Sequence, residues 1–164
     1  MNERAIIFSQ PMVRAILDGR KSQTRRLVRG KALEWLQPNM FSADFVALEQ
    51  HRVCPYGYPG ERLWVREAHY RSPEGRLAYR ADAHEPAALP WQRSIFMRRE
   101  HSRIELEITG LRIERLQDLS DEDATAEGAE YWVAFREVWR KIHGAQSWKQ
   151  NPWVWVIVFT RVKP

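Results

Sequence analysis

The residues with the clearest chemical character form a basic stretch between positions 20 and 31. The stretch has no acidic residue and holds six basic ones: Arg20, Lys21, Arg25, Arg26, Arg29 and Lys31. Without these six side chains the net charge of the chain, +5, becomes −1. A localised positive patch attracts polyanions through phosphate contacts and counterion release. We therefore expect a nucleic acid or a nucleotide as partner, the alternative being a solvated loop that is basic without a ligand.

Other groups that could bind ligands do not assemble into a recognised site. The five histidines are scattered, and His51 with Cys54 has a metal-like spacing but no second pair to complete a zinc site. We predict no metal and no other cofactor. The sequence has no glycine-rich phosphate loop, so a nucleoside triphosphate is not an expected ligand. The eight tryptophans favour a well-packed core, with base stacking by Trp64 or Trp153 as the alternative.

Size and composition indicate one globular domain spanning residues 1–164. The chain is 44% hydrophobic and 29% charged, which is ordinary for a protein with a buried core. The apolar run at residues 5–8 is too short for a signal peptide, and no segment reaches the roughly 20 apolar residues that span a bilayer. The single cysteine, Cys54, cannot form an internal disulfide. We expect a cytoplasmic protein without membrane contact.

A strand and a short helix must position the basic stretch. Residues 5–8 predict a buried strand. A helix is predicted to begin after Ser9 and to end at Gly19, because serine is a frequent N-cap and glycine a frequent helix terminator. Lys21 and Thr24 are then expected on a loop just beyond the helix.

Two segments are predicted to be insertions in the small fold. Residues 31–50 have mixed character and contain two weakly helical pieces. Residues 81–92 hold two prolines and few residues suited to a core, which favours a loop. Short strands are predicted between these segments, at 63–67 and 76–80.

The C-terminal half predicts the rest of a small mixed sheet. Residues 102–116 alternate between apolar and polar side chains, which indicates a strand, and Gly110 marks a bulge or bend in it. Ser120 and Asp123, three residues further on, resemble a capping pair that begins a short helix, and a second helix covers 131–142. The segment 152–159 is apolar on both faces, so we predict a central strand covered on both sides. Together the elements indicate an α+β fold, a small mixed β-barrel with short helices on its rim.

Four segments of the chain carry a family resemblance. The first contains glycine, arginine, lysine, threonine and arginine at fixed spacing and reads Gly19-Arg20-Lys21-Ser22-Gln23-Thr24-Arg25-Arg26. The others follow in order at 54–67, 116–128 and 151–156. These segments resemble the ASCH domain family, and the one at 54–67 is similar to longer, often phage-associated members. The resemblance covers most of the chain and implies a PUA-like β-barrel, a fold shared with RNA-binding and RNA-modifying domains.

The resemblance also implies a chemistry. A short bacterial branch of the family removes the acetyl group from N4-acetylcytidine, with a proposed triad of the signature lysine, the signature threonine and a downstream glutamate. Carried over, these catalytic residues are Lys21, Thr24 and Glu127. The leading prediction is an N4-acylcytidine amidohydrolase. The alternatives are an RNA-binding module without catalysis and a ribonuclease, for which the sequence offers no evident acid–base pair.

Amide hydrolysis needs a nucleophile, proton transfer and stabilisation of an oxyanion. Thr24 offers a hydroxyl, and Lys21 could accept its proton only if the lysine pKa falls well below its usual value near 10.4. Burial and neighbouring arginines would lower that pKa, whereas an ionised Glu127 would raise it. Other roles stay open: Lys21 could bind phosphate, Thr24 could cap a turn, and Glu127 could be an ordinary helix-terminal residue.

Substrate binding needs further groups. Arginines would contact phosphate, aromatic rings could stack on a base, and a second carboxylate could line the same cleft. Each aromatic residue could instead belong to the core. The predicted substrate-binding residues are Arg20, Arg25, Arg26, Trp64, Glu67 and Tyr79.

Overall fold

The architecture alternates short helices with the strands of one main sheet. The computed structural model describes residues 2–38, 40–83 and 89–162, and the following bounds refer to them. The elements in chain order are β1 Glu3–Ile7, α1 Gln10–Leu17, β2 Gln23–Leu27, α2 Gly30–Leu36, α3 Ala43–Val46, β3 Arg62–Arg66, β4 His69–Arg71, β5 Leu77–Tyr79, β6 Glu105–Arg115, α4 Asp121–Ala126, α5 Trp132–His143 and β7 Trp153–Val162. None of the helices in these ranges combines the length and apolarity that crossing a bilayer requires.

The main sheet has five strands in the order β1-β3-β6-β7-β2. β1 pairs with β3 in parallel, and the other neighbours are antiparallel, so the sheet is mixed as predicted. β4 and β5 form a separate two-stranded sheet. Within the described ranges no pairing joins the edge strands β1 and β2, so hydrogen bonds do not close the sheet into a complete barrel. The α+β class with short helices beside a small mixed sheet is confirmed, whereas the predicted barrel is an open sheet in these ranges.

The central position predicted for the last strand is also confirmed. β7 lies between β6 and β2, and its two faces contribute to different cores. Trp155 and Ile157 pack into the larger core against α1 and β3. Val154 and Val156 point to the other side, where they pack with residues of α4 and α5. Alternation along a strand places neighbours on opposite faces, so a strand that is apolar throughout needs two apolar partners.

The bulge predicted in the long β6 strand is present, since its pairing with β7 shifts between Ile108 and Gly110. The prediction of a loop at Thr24 is wrong. Thr24 lies within β2 and is paired with Ile157 of β7. The polar composition of β2 did not predict a strand. Its buried polar side chains are stabilised by hydrogen bonds and ion pairs to distant parts of the chain, which the local sequence does not reveal.

The segment 31–50 contains the two helical pieces that were predicted, α2 and α3. Its apolar residues Leu36 and Val46 are fully buried in the larger core, so this segment contributes to the main fold. Of the segment 81–92, residues 84–88 lie outside the described ranges. Gln92, beyond them, forms a backbone bridge with His69 of β4.

Candidate active site

A cavity of about 770 Å³ lies where the basic stretch meets the last helix. One wall is apolar and comes from α5: Ala134, Phe135, Val138, Trp139 and Ile142. The polar wall of the cavity includes Lys21, Thr24, Arg25, Arg26 and Glu127. A concave site of this size, mostly apolar with a few convergent polar groups, is typical of small-molecule binding sites.

Backbone hydrogen bonds bring Lys21 and Glu127 together although they are 106 residues apart. The amide of Lys21 donates to the carbonyl of Ala15 at the end of α1 (3.1 Å), and the next amide, of Ser22, donates to the carbonyl of Ala126 (2.8 Å). Glu127 is the C-cap residue of α4. The start of α4 is held by the predicted capping pair, since the Ser120 hydroxyl accepts from the amide of Asp123 and the Asp123 carboxylate accepts from the amide of Ser120.

The ammonium of Lys21 is buried, and three acceptors surround it. Its Nζ donates to the carbonyls of Gln23 (2.8 Å) and Glu127 (2.9 Å) and to Oε1 of Glu127 (3.3 Å). Burial lowers the pKa of Lys21, the Glu127 carboxylate opposes this effect, and the charges of Arg26 and Arg25 add to it. The lysine is therefore easier to deprotonate than an exposed one while its nitrogen stays fixed.

Glu127 uses both carboxylate oxygens. Oε1 faces Lys21, and Oε2 accepts from the guanidinium of Arg25 at 3.3 Å. The next residue, Gly128, has φ +95°, and a Cβ at this position would lie 3.2 Å from Cβ of Ala15 and 3.5 Å from Cβ of Lys21. Glycine is thus required both by its backbone conformation and by the close approach of α1, which lets Glu127 reach the lysine.

The hydroxyl of Thr24 lies beside a guanidinium. Nε of Arg26 donates to Oγ1 of Thr24 at 3.3 Å, and Nη2 of Arg26 donates to the carbonyl of Ile7 at 2.7 Å. The same guanidinium lies 4.9 Å from the ring centre of Phe8. Within the described ranges, no carboxylate lies within ion-pair distance of Arg26. Arg26 therefore brings an unbalanced positive charge to the polar wall of the cavity.

Arg25 has a different environment from the one predicted. Its side chain has 0% exposure and pairs with Glu114 (2.6 Å) and Asp123 (3.2 Å) as well as Glu127. Arg112 also pairs with Glu114 at 3.2 Å and with Asp123 at 3.1 Å. The whole network contains three cations and three carboxylates: Lys21, Arg25, Arg112, Glu114, Asp123 and Glu127. Arg25 also lines the cavity, where three carboxylates hold its guanidinium, and its predicted contact with substrate stays a prediction.

Four other predicted substrate-binding residues lie outside the cavity lining. Arg20 is exposed and pairs with Asp18 at 3.2 Å. Trp64 is buried in β3, with the guanidinium of Arg66 4.8 Å from its ring centre. Glu67 lies between β3 and β4 and Tyr79 lies in β5, on another part of the fold. The structure therefore does not bring these four residues together with Thr24 and Glu127. Of the predicted binding residues, Arg25 and Arg26 line the cavity beside Lys21, Thr24 and Glu127.

Sequence reasoning missed several residues of the cavity. Tyr56 and His143 line it, together with the α5 wall. Burial and the charges of Arg29 and Arg26 lower the pKa of His143. A signal was available in the sequence, because α5 carries more apolar residues than one core-facing stripe requires. Ile142 is 64% exposed and belongs to this surplus.

No group of three or more histidine, cysteine, aspartate or glutamate side chains in the described part of the chain is arranged to hold a metal ion. The lining of the cavity offers an ammonium, guanidinium groups, a hydroxyl and a carboxylate for chemistry.

Comparison with known proteins gives a structural likeness and no sequence match. No family model and no curated protein matches the sequence. The structure is similar to that of an ASCH domain from Lactobacillus crispatus JV V101, with 11% identity and a TM-score of 0.52 over 98% of this chain and 79% of that one. It is equally similar to the hypothetical protein PH0355, with 11% identity and a TM-score of 0.52 over 98% of this chain and 100% of that one. At this identity the likeness concerns the fold.

Proposed function

Because the chain has an ASCH-like fold, we propose that its cavity hydrolyses the amide of N4-acylcytidine and releases cytidine and a carboxylic acid. The observation that carries the proposal is that Lys21, Thr24 and Glu127 line the same cavity, with Lys21 and Glu127 in contact, although they come from two segments about a hundred residues apart. Lys21 can accept a proton, Thr24 can act as the nucleophile, and Glu127 can hold Lys21 in position.

The apolar part of the lining supports a nucleoside over a polyanion as ligand. Of the four residues of the basic stretch that line the cavity, Lys21 and Arg25 are both held by Glu127, while Arg26 and Arg29 have no ion pair in the described ranges. The α5 wall is apolar and suits the flat surface of a base. A cavity of about 770 Å³ has room for one nucleoside with its acyl group.

In the proposed first step Thr24 is the nucleophile and neutral Lys21 is the base. The neutral amine has two N–H groups, so it keeps two of the three hydrogen bonds that the ammonium donates, and in the proposed step its lone pair turns to the Thr24 hydroxyl. Nζ accepts the hydroxyl proton while Oγ1 of Thr24 forms a bond to the acyl carbon. The carbonyl electron pair moves to oxygen, and the guanidinium of Arg26 beside Thr24 stabilises that oxyanion.

The second step releases the amine. The bond between the acyl carbon and N4 breaks, and the Lys21 ammonium gives the proton to N4. Cytidine then leaves, while the acyl group stays bound to Thr24 as an ester. Water then gives a proton to Lys21 and its oxygen bonds to the ester carbon. The bond from this carbon to Oγ1 of Thr24 breaks and Lys21 returns the proton to Oγ1, which frees the carboxylic acid and restores both the threonine and the neutral lysine. Glu127 holds the lysine ammonium between the two transfers and does not bond to the substrate.

Purified protein is incubated with N4-acetylcytidine, and cytidine is measured by chromatography. We expect Thr24→Ser to retain turnover and Thr24→Val to lose at least about 10³-fold in kcat, because valine keeps the branched shape of a strand residue without the hydroxyl. Thr160→Ala serves as the matched control, since Thr160 lies on the exposed end of β7 outside the cavity.

Two outcomes would overturn the proposal. One is the absence of cytidine from wild-type protein whose cooperative unfolding shows that it is folded. The other is turnover by Thr24→Val at the rate of the wild type, because a hydrolysis that does not need the hydroxyl does not use Thr24 as its nucleophile.

A further inference from the structure

A second cavity, of about 500 Å³, lies beside the β4–β5 sheet. Its walls come from β4 and from two 3₁₀ turns at Ser94–Phe96 and Arg99–His101. The side chains relevant to binding are His69, Arg71, Gln92, Phe96, Arg98 and His101. None of them lines the candidate active site.

The backbone holds this second cavity in a fixed shape. The amide of His69 donates to the carbonyl of Gln92 (3.2 Å), and the amide of Gln92 donates to the carbonyl of His69 (2.7 Å). His69 is also paired with Tyr79 of β5. Two residues apart on one strand, His69 and Arg71 present their side chains on the same face. The histidine and the arginine are therefore placed together by the sheet.

A buried charged cluster supports this arrangement and accounts for two residues expected at the active site. Glu67 is fully buried and receives two hydrogen bonds from Arg103, at 3.0 and 2.9 Å. Arg103 stacks on Tyr79, 4.1 Å from the ring centre. The Tyr79 hydroxyl donates to the carbonyl of His101 at 2.8 Å. The cluster thereby joins β4, β5 and the turn that carries His101.

His69 offers a polar atom to the cavity. The ring is buried, and Nδ1 lies 3.1 Å from the carbonyl oxygen of Glu67. This carbonyl can only accept, so Nδ1 carries the hydrogen and Nε2 is left for another partner. Nε2 forms no hydrogen bond to any residue in the described ranges. The ring centre of His101 is 6.1 Å away on the same cavity wall.

The rim of the cavity combines positive charge with an exposed aromatic ring. Arg71 and Arg98 are both exposed, and Phe96 is 65% exposed. The carboxylate of Glu100 lies 3.9 Å from Arg98 and 3.6 Å from His101. It offsets one of the two arginine charges. Guanidinium groups beside an aromatic ring are the usual combination for single-stranded nucleic acids, where bases stack and phosphates bind arginine.

We propose that this second cavity binds a nucleotide unit of a single-stranded nucleic acid. Arg71 and Arg98 contact phosphate oxygens, Phe96 stacks on a base, and Nε2 of His69 bonds a polar group of the same nucleotide. The cavity volume matches a unit of this size. The proposal does not depend on the amide hydrolysis, because it concerns a polymer and other residues.

The test uses the full chain and a fluorescein-labelled RNA of about 12 nucleotides without acetylated bases, followed by fluorescence anisotropy. The double substitution Arg71→Ala with Arg98→Ala is expected to weaken binding at least about tenfold, since each hydrogen-bonded charge pair contributes strongly. The slope of log affinity against log salt should fall by about 0.7 for each phosphate that the variant no longer neutralises.

The matched control removes two positive charges elsewhere, by Lys141→Ala with Lys149→Ala. Both lysines are exposed, and neither lines a cavity. We expect the control to bind RNA within about twofold of the wild type, less than the effect of removing one hydrogen-bonded charge. Glu100→Gln should act in the opposite direction and tighten binding, because it removes the carboxylate that faces the arginine.

Equal decreases in affinity of the two double variants would overturn the proposal, since they would show attraction to net charge alone. Displacement of the RNA by polyglutamate at the same concentration of charges would also overturn it and would point to an acidic protein as the partner. The Arg71→Ala and Arg98→Ala variant should still hydrolyse N4-acetylcytidine at the wild-type rate. Failure of either proposal can therefore be distinguished from failure of the other.

Discussion

The substitution Glu127→Gln separates the electrostatic role of this carboxylate from its shape. Glutamine preserves the size of the side chain and the backbone carbonyl that accepts from Lys21, while the charge disappears. Lys21 then keeps its two short hydrogen bonds to backbone carbonyls and loses its ion pair. Arg25 loses one of three carboxylates and keeps Glu114 and Asp123. The ammonium of Lys21 is therefore the group that the substitution leaves without a counter-charge.

Removal of one member of a buried ion pair costs about 3–5 kcal/mol in the free energy of unfolding. The exposures of the Lys21 and Glu127 side chains are 2% and 5%, so screening by solvent reduces this figure little. Arg25 retains its other partners, which favours the lower end, about 3 kcal/mol at pH 7. The same change lowers the pKa of Lys21 further, because Glu127 is the group that raises it.

The pH dependence of this effect has a definite sign. The pKa of Lys21 is lower in the folded protein than in the unfolded chain, so the unfolded chain binds more protons between these two pKa values, and stability rises with pH there. The pKa is lower still in Glu127→Gln. The destabilisation relative to the wild type should therefore be largest near neutral pH. As the pH rises to the wild-type pKa of Lys21, this destabilisation should become smaller. The decrease should be about 1.4 kcal/mol for each pH unit by which the substitution lowers the pKa of Lys21.

Urea unfolding at a series of pH values from 7 to about 10, the usual range of lysine titration, measures this difference. The matched control is Glu130→Gln, which removes an exposed carboxylate at the same cavity that has no ion pair in the described ranges. The control should change stability by no more than about 0.5 kcal/mol at any pH. A destabilisation by Glu127→Gln that stays constant with pH would refute the assigned coupling to Lys21. A destabilisation no larger than that of the control would show that the ion pair does not stabilise the fold.

Three further changes test other parts of the structure. Gly128→Ala should cost more than about 1 kcal/mol in urea unfolding and should reduce turnover, because the residue has φ +95° and its new methyl group would press on Ala15 and Lys21; wild-type stability would contradict the close approach. Arg25→Met should cost about 3–5 kcal/mol, because it strands buried carboxylates, and a neutral or stabilising result would show that the network is not needed for stability. Burial raises the pKa of Cys54 to about 11, so iodoacetamide at pH 8 should label this thiol only in urea-unfolded protein, and labelling at the same rate in folded protein would show an open path to it.

Much of the architecture could be predicted from local patterns. The alternation of 102–116, the glycine in its middle and the capping pair at Ser120 each depend on residues close in sequence, and each is present in the structure. The last strand was predicted from its lack of alternation, and its two cores confirm that reasoning. The convergence of Lys21 with Glu127 followed from the family resemblance, and the catalytic role of the pair stays a prediction.

The features that the sequence did not reveal have a common physical cause in long-range charge pairing. Arg25 was expected to contact substrate because its own neighbours are basic, while its carboxylate partners lie 89 residues or more further along the chain. The strand around Thr24 was missed for the same reason, since its polar residues gave no apolar period to detect. Glu67 was placed in the cleft because its partner, Arg103, could not be identified before the pairing of β3 with β6 was known.

The two-sided burial of β7 also sets the tolerance of the site to change. β7 pairs with Thr24 of β2 through Ile157 and with Glu114 of β6 through Val154. This one strand therefore sets the positions of both the Thr24 hydroxyl and the Glu114 carboxylate. A single inserted or deleted residue in this strand would turn Trp155 toward the smaller side and move every partner by one position. Variation in ligand preference is therefore expected to come from α5, whose exposed apolar residues can be exchanged without disturbing that alignment.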